Sequence, residues 1–97
     1  MLDESRKEEL KRELCETFAK ITNADDFAKL MDDLCTYNEY EQMAQRLYAA
    51  KLFLEGETYV MINEKTDISS ATLSRISRCI RHGSGGYKDV LSSLTKK

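Results

Sequence analysis

Apolar positions along the chain recur at helical steps. Leu10, Leu14, Phe18 and Ile21 follow one another at intervals of four, four and three, one stripe on an otherwise charged segment. A first helix is therefore expected from about Glu4 to Ala19 or Lys20. Asn23 stands where an N-cap belongs, with Asp25 and Asp26 suited to the first turn of a second helix. Phe27, Leu30, Met31 and Leu34 give that helix its apolar face. Thr36 is expected to cap a longer third helix ending before Gly56, a residue suited to a left-handed helix terminator. Tyr40, Met43, Leu47, Ala50, Phe53 and Leu54 spread over more than one side of it, which predicts a central position.

Two shorter helices follow. Thr58 caps a segment over about Tyr59–Thr66, and Ser69 caps another over about Ser70–Arg81. Gly83, Ser84, Gly85 and Gly86 read as a flexible hinge before a last helix from Tyr87 to about Leu94, using Tyr87, Val90, Leu91 and Leu94. Strand-like alternation and internal repeats are missing, so the expected fold is all-α with about six helices in one domain. Residues 1–57 carry dimerisation helices, 58–82 a helix-turn-helix, and 83–97 the hinge and last helix. Mutual burial of two copies is a natural way to complete the core, since each apolar stripe is narrow.

Within 58–82 four positions set the helix-turn-helix geometry: Asn63, Asp67, Leu73 and Ile76, with Ile62 and Ile68 as flanking core residues. Asp67 stands in place of the usual glycine and is expected to take the left-handed turn. Asn63 stands in place of the usual small residue. With Leu73 and Ile76 inward, the outer face of the second helix shows Ser69, Ser70, Ala71, Ser74, Arg75 and Arg78. Ser70 and the amides at the helix start suit phosphate, and Ala71 and the Thr72 methyl suit a thymine methyl. Arg75 or Arg78 suits guanine, while Arg81, Lys65 and Lys88 suit the DNA backbone.

Charge sharpens this picture. Residues 1–57 hold 14 acidic and 8 basic side chains, a net −6; residues 58–97 hold 3 and 7, a net +4. A scaffold repelled by phosphate thus carries a reading head attracted to it. Cys15, Cys35 and Cys79 are scattered and His82 is the lone histidine, so a zinc site, a disulfide framework or a catalytic cluster has little to draw on. An enzyme is not expected. No apolar run reaches membrane-span length and charge follows Met1 closely, so the expected location is the cytoplasm.

The run from Leu34-Cys35-Thr36 through Gln45-Arg46, Gly56-Glu57 and Ala71-Thr72-Leu73-Ser74-Arg75 resembles the Trp repressor superfamily. The segment Ser70–Ile80, followed by Gly83–Tyr87, is similar to its YerC/YecD subfamily. The resemblance covers about residues 10–95. It implies an intertwined homodimer whose two heads address the half-sites of a palindromic operator, as a repressor-like transcription regulator. It also implies an effector pocket in which Arg46 and Arg75 flank the ligand and Thr36 contributes a hydroxyl. Ile76 replaces the family's pocket glycine, and a change near Cys79 replaces its serine, which disfavours a tryptophan corepressor; no cofactor is expected. Two alternatives remain: a regulator gated by an amino acid or aromatic metabolite near Arg46 and Arg75, and a helix-turn-helix module that binds protein.

Overall fold

The computed structural model describes residues 1–95, without the side chains of residues 93–95. Six helices follow in order: α1 (Glu4–Lys20), α2 (Ala24–Leu34), α3 (Tyr37–Leu54), α4 (Tyr59–Lys65), α5 (Ser70–His82) and α6 (Gly86–Thr95). Among the described residues there is no strand, and no helix is long and apolar enough to cross a membrane. The chain divides into two compact units, Met1–Tyr37 and the part from Asn38 onward.

The first unit is an α1–α2 pair with closed termini. Asp3 accepts the Arg6 N–H at 2.8 Å, and Asn23 accepts the Asp26 N–H at the same distance. Each cap satisfies an amide that has no partner inside its helix. Phe18 and Phe27 join the two helices, their ring centroids 4.9 Å apart and inclined by 57°. Charge lines the rest of α1: Arg6 pairs with Glu9 and Glu13, Lys7 with Glu4, Lys11 with Glu8, and Arg12 with Glu16. These pairs are exposed and each stabilises the helix by only a few tenths of a kcal/mol. The apolar stripe appears as expected, but α1 has no buried residue. Leu10 and Leu14 stay about 40% exposed, at 38% and 43%. On α2, Met31 is buried while Leu34 is exposed.

The second unit contains an apolar core built from α3, α4, α5 and α6. Ala49, Ala50 and Leu52 of α3 meet Ile62 of α4, Leu73 and Ile76 of α5, and Leu91 of α6. Ala49 and Ala50 are completely buried, the smallest side chains that α3 gives to this core. The wide apolar face of α3 therefore splits. Its C-terminal side enters the core with Phe53 and Leu54, whereas Met43 and Leu47 remain exposed. Helix α3 ends in a Schellman motif: the Gly56 N–H donates to the Phe53 carbonyl and the Glu57 N–H to the Leu52 carbonyl, both at 3.0 Å. Gly56 has φ of 90°, the left-handed value that its position predicted.

Beyond α5 the four residues read as a hinge form a defined turn. Gly83 closes α5, its N–H on the Cys79 carbonyl at 2.9 Å, and a Cβ there would run into that carbonyl. Gly85 has φ of 93° and Gly86 already belongs to α6. Of the residues expected to seat α6, Leu91 is buried and Tyr87 packs on the core. Val90 is exposed, because the core covers only a narrow strip of this helix. The side chain of Leu94 lies outside the described residues.

Leu73→Ala should lower the unfolding free energy by about 2–5 kcal/mol, since Leu73 is fully buried. Gly56→Ala should cost about 1–2 kcal/mol through its left-handed backbone alone, as no atom crowds that site. Urea denaturation of both variants checks the order.

Candidate nucleic-acid interface

Helix α5 is a two-faced element. Leu73 and Ile76 point inward at 0% and 2% exposure, half-buried Ser77 and Ile80 flank them, and the opposite side is solvent-facing. That side shows Ser70, Ala71, Ser74, Arg75, Arg78 and Arg81, all exposed. Among the described residues, none of these three arginines is paired with a carboxylate, in contrast to the paired arginines of α1. An unpaired guanidinium on an exposed helix keeps all five donors available for an incoming anion.

Ser69 and Thr72 do structural work at the start of α5. The Thr72 N–H donates to Ser69 Oγ at 3.3 Å, and the Ser69 hydroxyl donates to Thr72 Oγ1 at 3.1 Å. Lys65, at the end of α4, is held by Glu57 at 2.7 Å. This hydrogen bond raises the Lys65 pKa above the usual lysine value, with desolvation acting against it and the Glu57 charge adding to it. A raised lysine pKa means that the pair stabilises the fold below the unfolded lysine value and loses that effect as pH rises through the folded one. Lys65 thus reaches any phosphate only in competition with Glu57. Lys88 is exposed on α6.

The turn between α4 and α5 differs from its expected form. Among the described residues only Gly56 and Gly85 have positive φ, so Asp67 is not left-handed. Thr66 and Ser69 are extended, and the bend is held by side chains instead. The Thr66 hydroxyl donates to the Ile62 carbonyl at 3.0 Å and accepts the Ile68 N–H at 3.4 Å. The Asp67 N–H donates to Gln45 Oε1 of α3 at 2.9 Å. Side-chain acceptors take over the work of a left-handed residue, and no glycine is needed. Ile62 is the buried residue of α4, as expected of a flanking core position, and its neighbour Asn63 is exposed. One further bond ties α4 to α5, from the Tyr59 hydroxyl to the Ser70 carbonyl at 2.8 Å. Gln45 and Tyr59 carry no local signal for these roles, since their partners lie 22 and 11 residues away.

Behind the turn lies a cavity of about 280 Å³ lined by Gln42, Gln45 and Arg46 of α3 and by Asp67, Ile68, Ser69 and Thr72. Of the three residues expected to form an effector pocket, Arg46 lines it, and Thr36 and Arg75 do not. Arg46 is half-buried. Among the described residues no group of three or more His, Cys, Asp or Glu gathers as metal ligands would.

A helix-turn-helix on this six-helix frame is matched by the family model described as Trp repressor protein, over residues 9–95. The chain belongs to the Trp repressor family. It is 37% identical over 93 residues to the uncharacterized protein YerC of Bacillus subtilis strain 168, covering 96% of this chain and 88% of that protein. That likeness sets it in the YerC-related branch. The crystal structure of a candidate Trp repressor from Staphylococcus aureus superimposes with a TM-score of 0.84 at 32% identity, covering 91% of this chain and 88% of that one. A TrpR-like protein from Eubacterium eligens ATCC 27750 gives 0.80 at 35% identity, with 86% of each chain covered. The Trp repressor family is one of non-enzymatic regulators, and membership suggests a helix-turn-helix DNA-binding regulator.

Ser69→Ala removes the acceptor of the Thr72 N–H and should cost about 1 kcal/mol of stability, read by chemical denaturation. Lys65→Met should lower the thermal midpoint near neutral pH, and the gap to the unmodified protein should close as pH rises through the raised Lys65 pKa. A gap that stays constant up to pH ~11 would refute the ion pair as its source.

Proposed function

We propose that the protein is a sequence-specific, repressor-like DNA-binding transcriptional regulator that works as a homodimer in the cytoplasm. The observation that carries this reading is the outer face of α5: Ser70, Ala71, Ser74, Arg75 and Arg78 exposed around a buried Leu73–Ile76 seam. In a helix-turn-helix the second helix enters the major groove with its N-terminal residues toward the bases. Arg75 and Arg78 then read guanine edges, Ala71 and Thr72 meet thymine methyls, and Ser69, Ser70, Arg81 and Lys65 meet phosphates.

Two heads on a two-fold axis fit two half-sites of a palindromic operator spaced by about one turn of DNA, about 34–36 Å. Support for the second copy comes from apolar surface that one chain leaves open, Leu10 and Leu14 on α1 and Leu47 on α3. Scattered exposed leucines are ordinary; a stripe of them along a helix with no buried residue asks for a partner.

Tryptophan is not the corepressor in this reading. Ile76 occupies the position at which the family's pocket has glycine, and its side chain is 2% exposed inside the core. A second reading, a small effector, draws on the cavity beside Arg46. Its lining combines a guanidinium, two amides, two hydroxyls and a carboxylate, a set suited to a small polar molecule bearing both charges.

Fluorescence anisotropy against DNA chosen by selection on the purified protein tests the leading reading. Arg75→Ala and Arg78→Ala should each weaken operator binding by about 1–3 kcal/mol and relax base preference. Arg81→Ala should weaken all DNA alike and lower the salt slope by about one. A protein that ignores DNA at low salt would refute the reading, and survival of a protein partner after nuclease digestion would favour an interaction module. Leu10→Glu with Leu14→Glu should yield monomers by sedimentation.

A further inference from the structure

We propose that Gln45 and Tyr59 are positioning residues for DNA recognition, gripping the base-reading end of α5 from two different helices; this rests on the DNA-binding reading above. Leu73 and Ile76 anchor α5, but they sit one to two turns beyond its start. Hydrophobic contacts are non-directional, so they hold the helix against the core and set its rotation and axial slide only loosely. Hydrogen bonds are directional over a few tenths of an ångström. Among the described residues, two that reach across from α3 and α4 act at its N-terminal end: Gln45 Oε1 of α3 takes the Asp67 N–H at 2.9 Å, and the Tyr59 hydroxyl of α4 donates to the Ser70 carbonyl at 2.8 Å.

Their placement matters because this end carries the groove-facing residues. Ser70 is the first residue of α5, and its carbonyl, with two lone pairs, takes the tyrosine hydroxyl while still serving the helix. Neither Gln45 nor Tyr59 lies on the outer face of α5, so neither is a base reader. Each acts through backbone: Gln45 fixes the turn, and Tyr59 fixes the first residue after the cap. The bend lacks a left-handed residue to define it, so the angle between α4 and α5 depends on such side-chain ties.

Gln45→Met and Tyr59→Phe delete one polar function each while keeping the bulk of the side chain. With operator and unrelated DNA compared at several salt concentrations, each variant should lose about 2- to 12-fold in operator affinity, the equivalent of one net hydrogen bond. Affinity for unrelated DNA and the salt slope should stay unchanged, because no phosphate contact is removed. Gln45→Glu keeps an acceptor and should keep the ratio of operator to unrelated binding. In the DNA-free protein, amide exchange at Asp67 should accelerate in Gln45→Met and not in Tyr59→Phe. If the unmodified protein binds its operator and both variants keep the ratio, the positioning role is overturned while DNA binding stands. A fall in both affinities by the same factor assigns the residues to general stability and overturns it as well, as does a salt slope lower by about one. If the unmodified protein binds no DNA at low salt, the functional reading fails first and the positioning role with it.

Discussion

The placement of α5 depends on the seam formed by Leu73 and Ile76 against Ala49, Ala50, Leu52 and Ile62. Burying each of the two α5 side chains stabilises the unit by about 1.5–3 kcal/mol relative to leaving it in water. A 13-residue helix with three arginines and a C-terminal histidine has little reason to persist alone in water. It persists because one side is sealed, and the sealing leaves the polar side facing out. Function at this surface is a by-product of which residues the core accepts.

The small residues on α3 make that seam possible. Two consecutive alanines are fully buried there, and Gln45, about one turn earlier, bonds the α4–α5 turn. The cost falls on the rest of α3. A helix that meets the head along one side presents Met43 and Leu47 elsewhere, uncovered by this chain. The same chain thus builds a head that is complete in itself and an apolar surface that is not.

Much of this was legible in the sequence, because it is local. Caps at Asn23, Thr58 and Ser69 are short-range hydrogen bonds, and the terminator at Gly56 follows from one backbone angle. The inward pair Leu73 and Ile76 follows from helical period alone. What could not be read was tertiary. Asp67 was expected to bend the chain by itself, yet its amide is satisfied from another helix 22 residues away. Ile62 is buried as its flanking core position predicts, and its neighbour Asn63 is exposed. Period and propensity describe one helix at a time; the angle at which two helices meet comes from contacts that span the chain.

Gln45 stands at two places at once. Its side chain forms part of the cavity wall, and its carbonyl oxygen is the acceptor for the Asp67 amide. An occupant that claims that oxygen leaves the turn amide without its partner, and one that braces the side chain in place strengthens the bond. Thermodynamic linkage would make the relation mutual if the proposed DNA binding holds: whatever factor such an occupant imposed on DNA affinity, DNA would impose on the occupant. One amide side chain thus belongs both to the cavity wall and to the turn that starts α5.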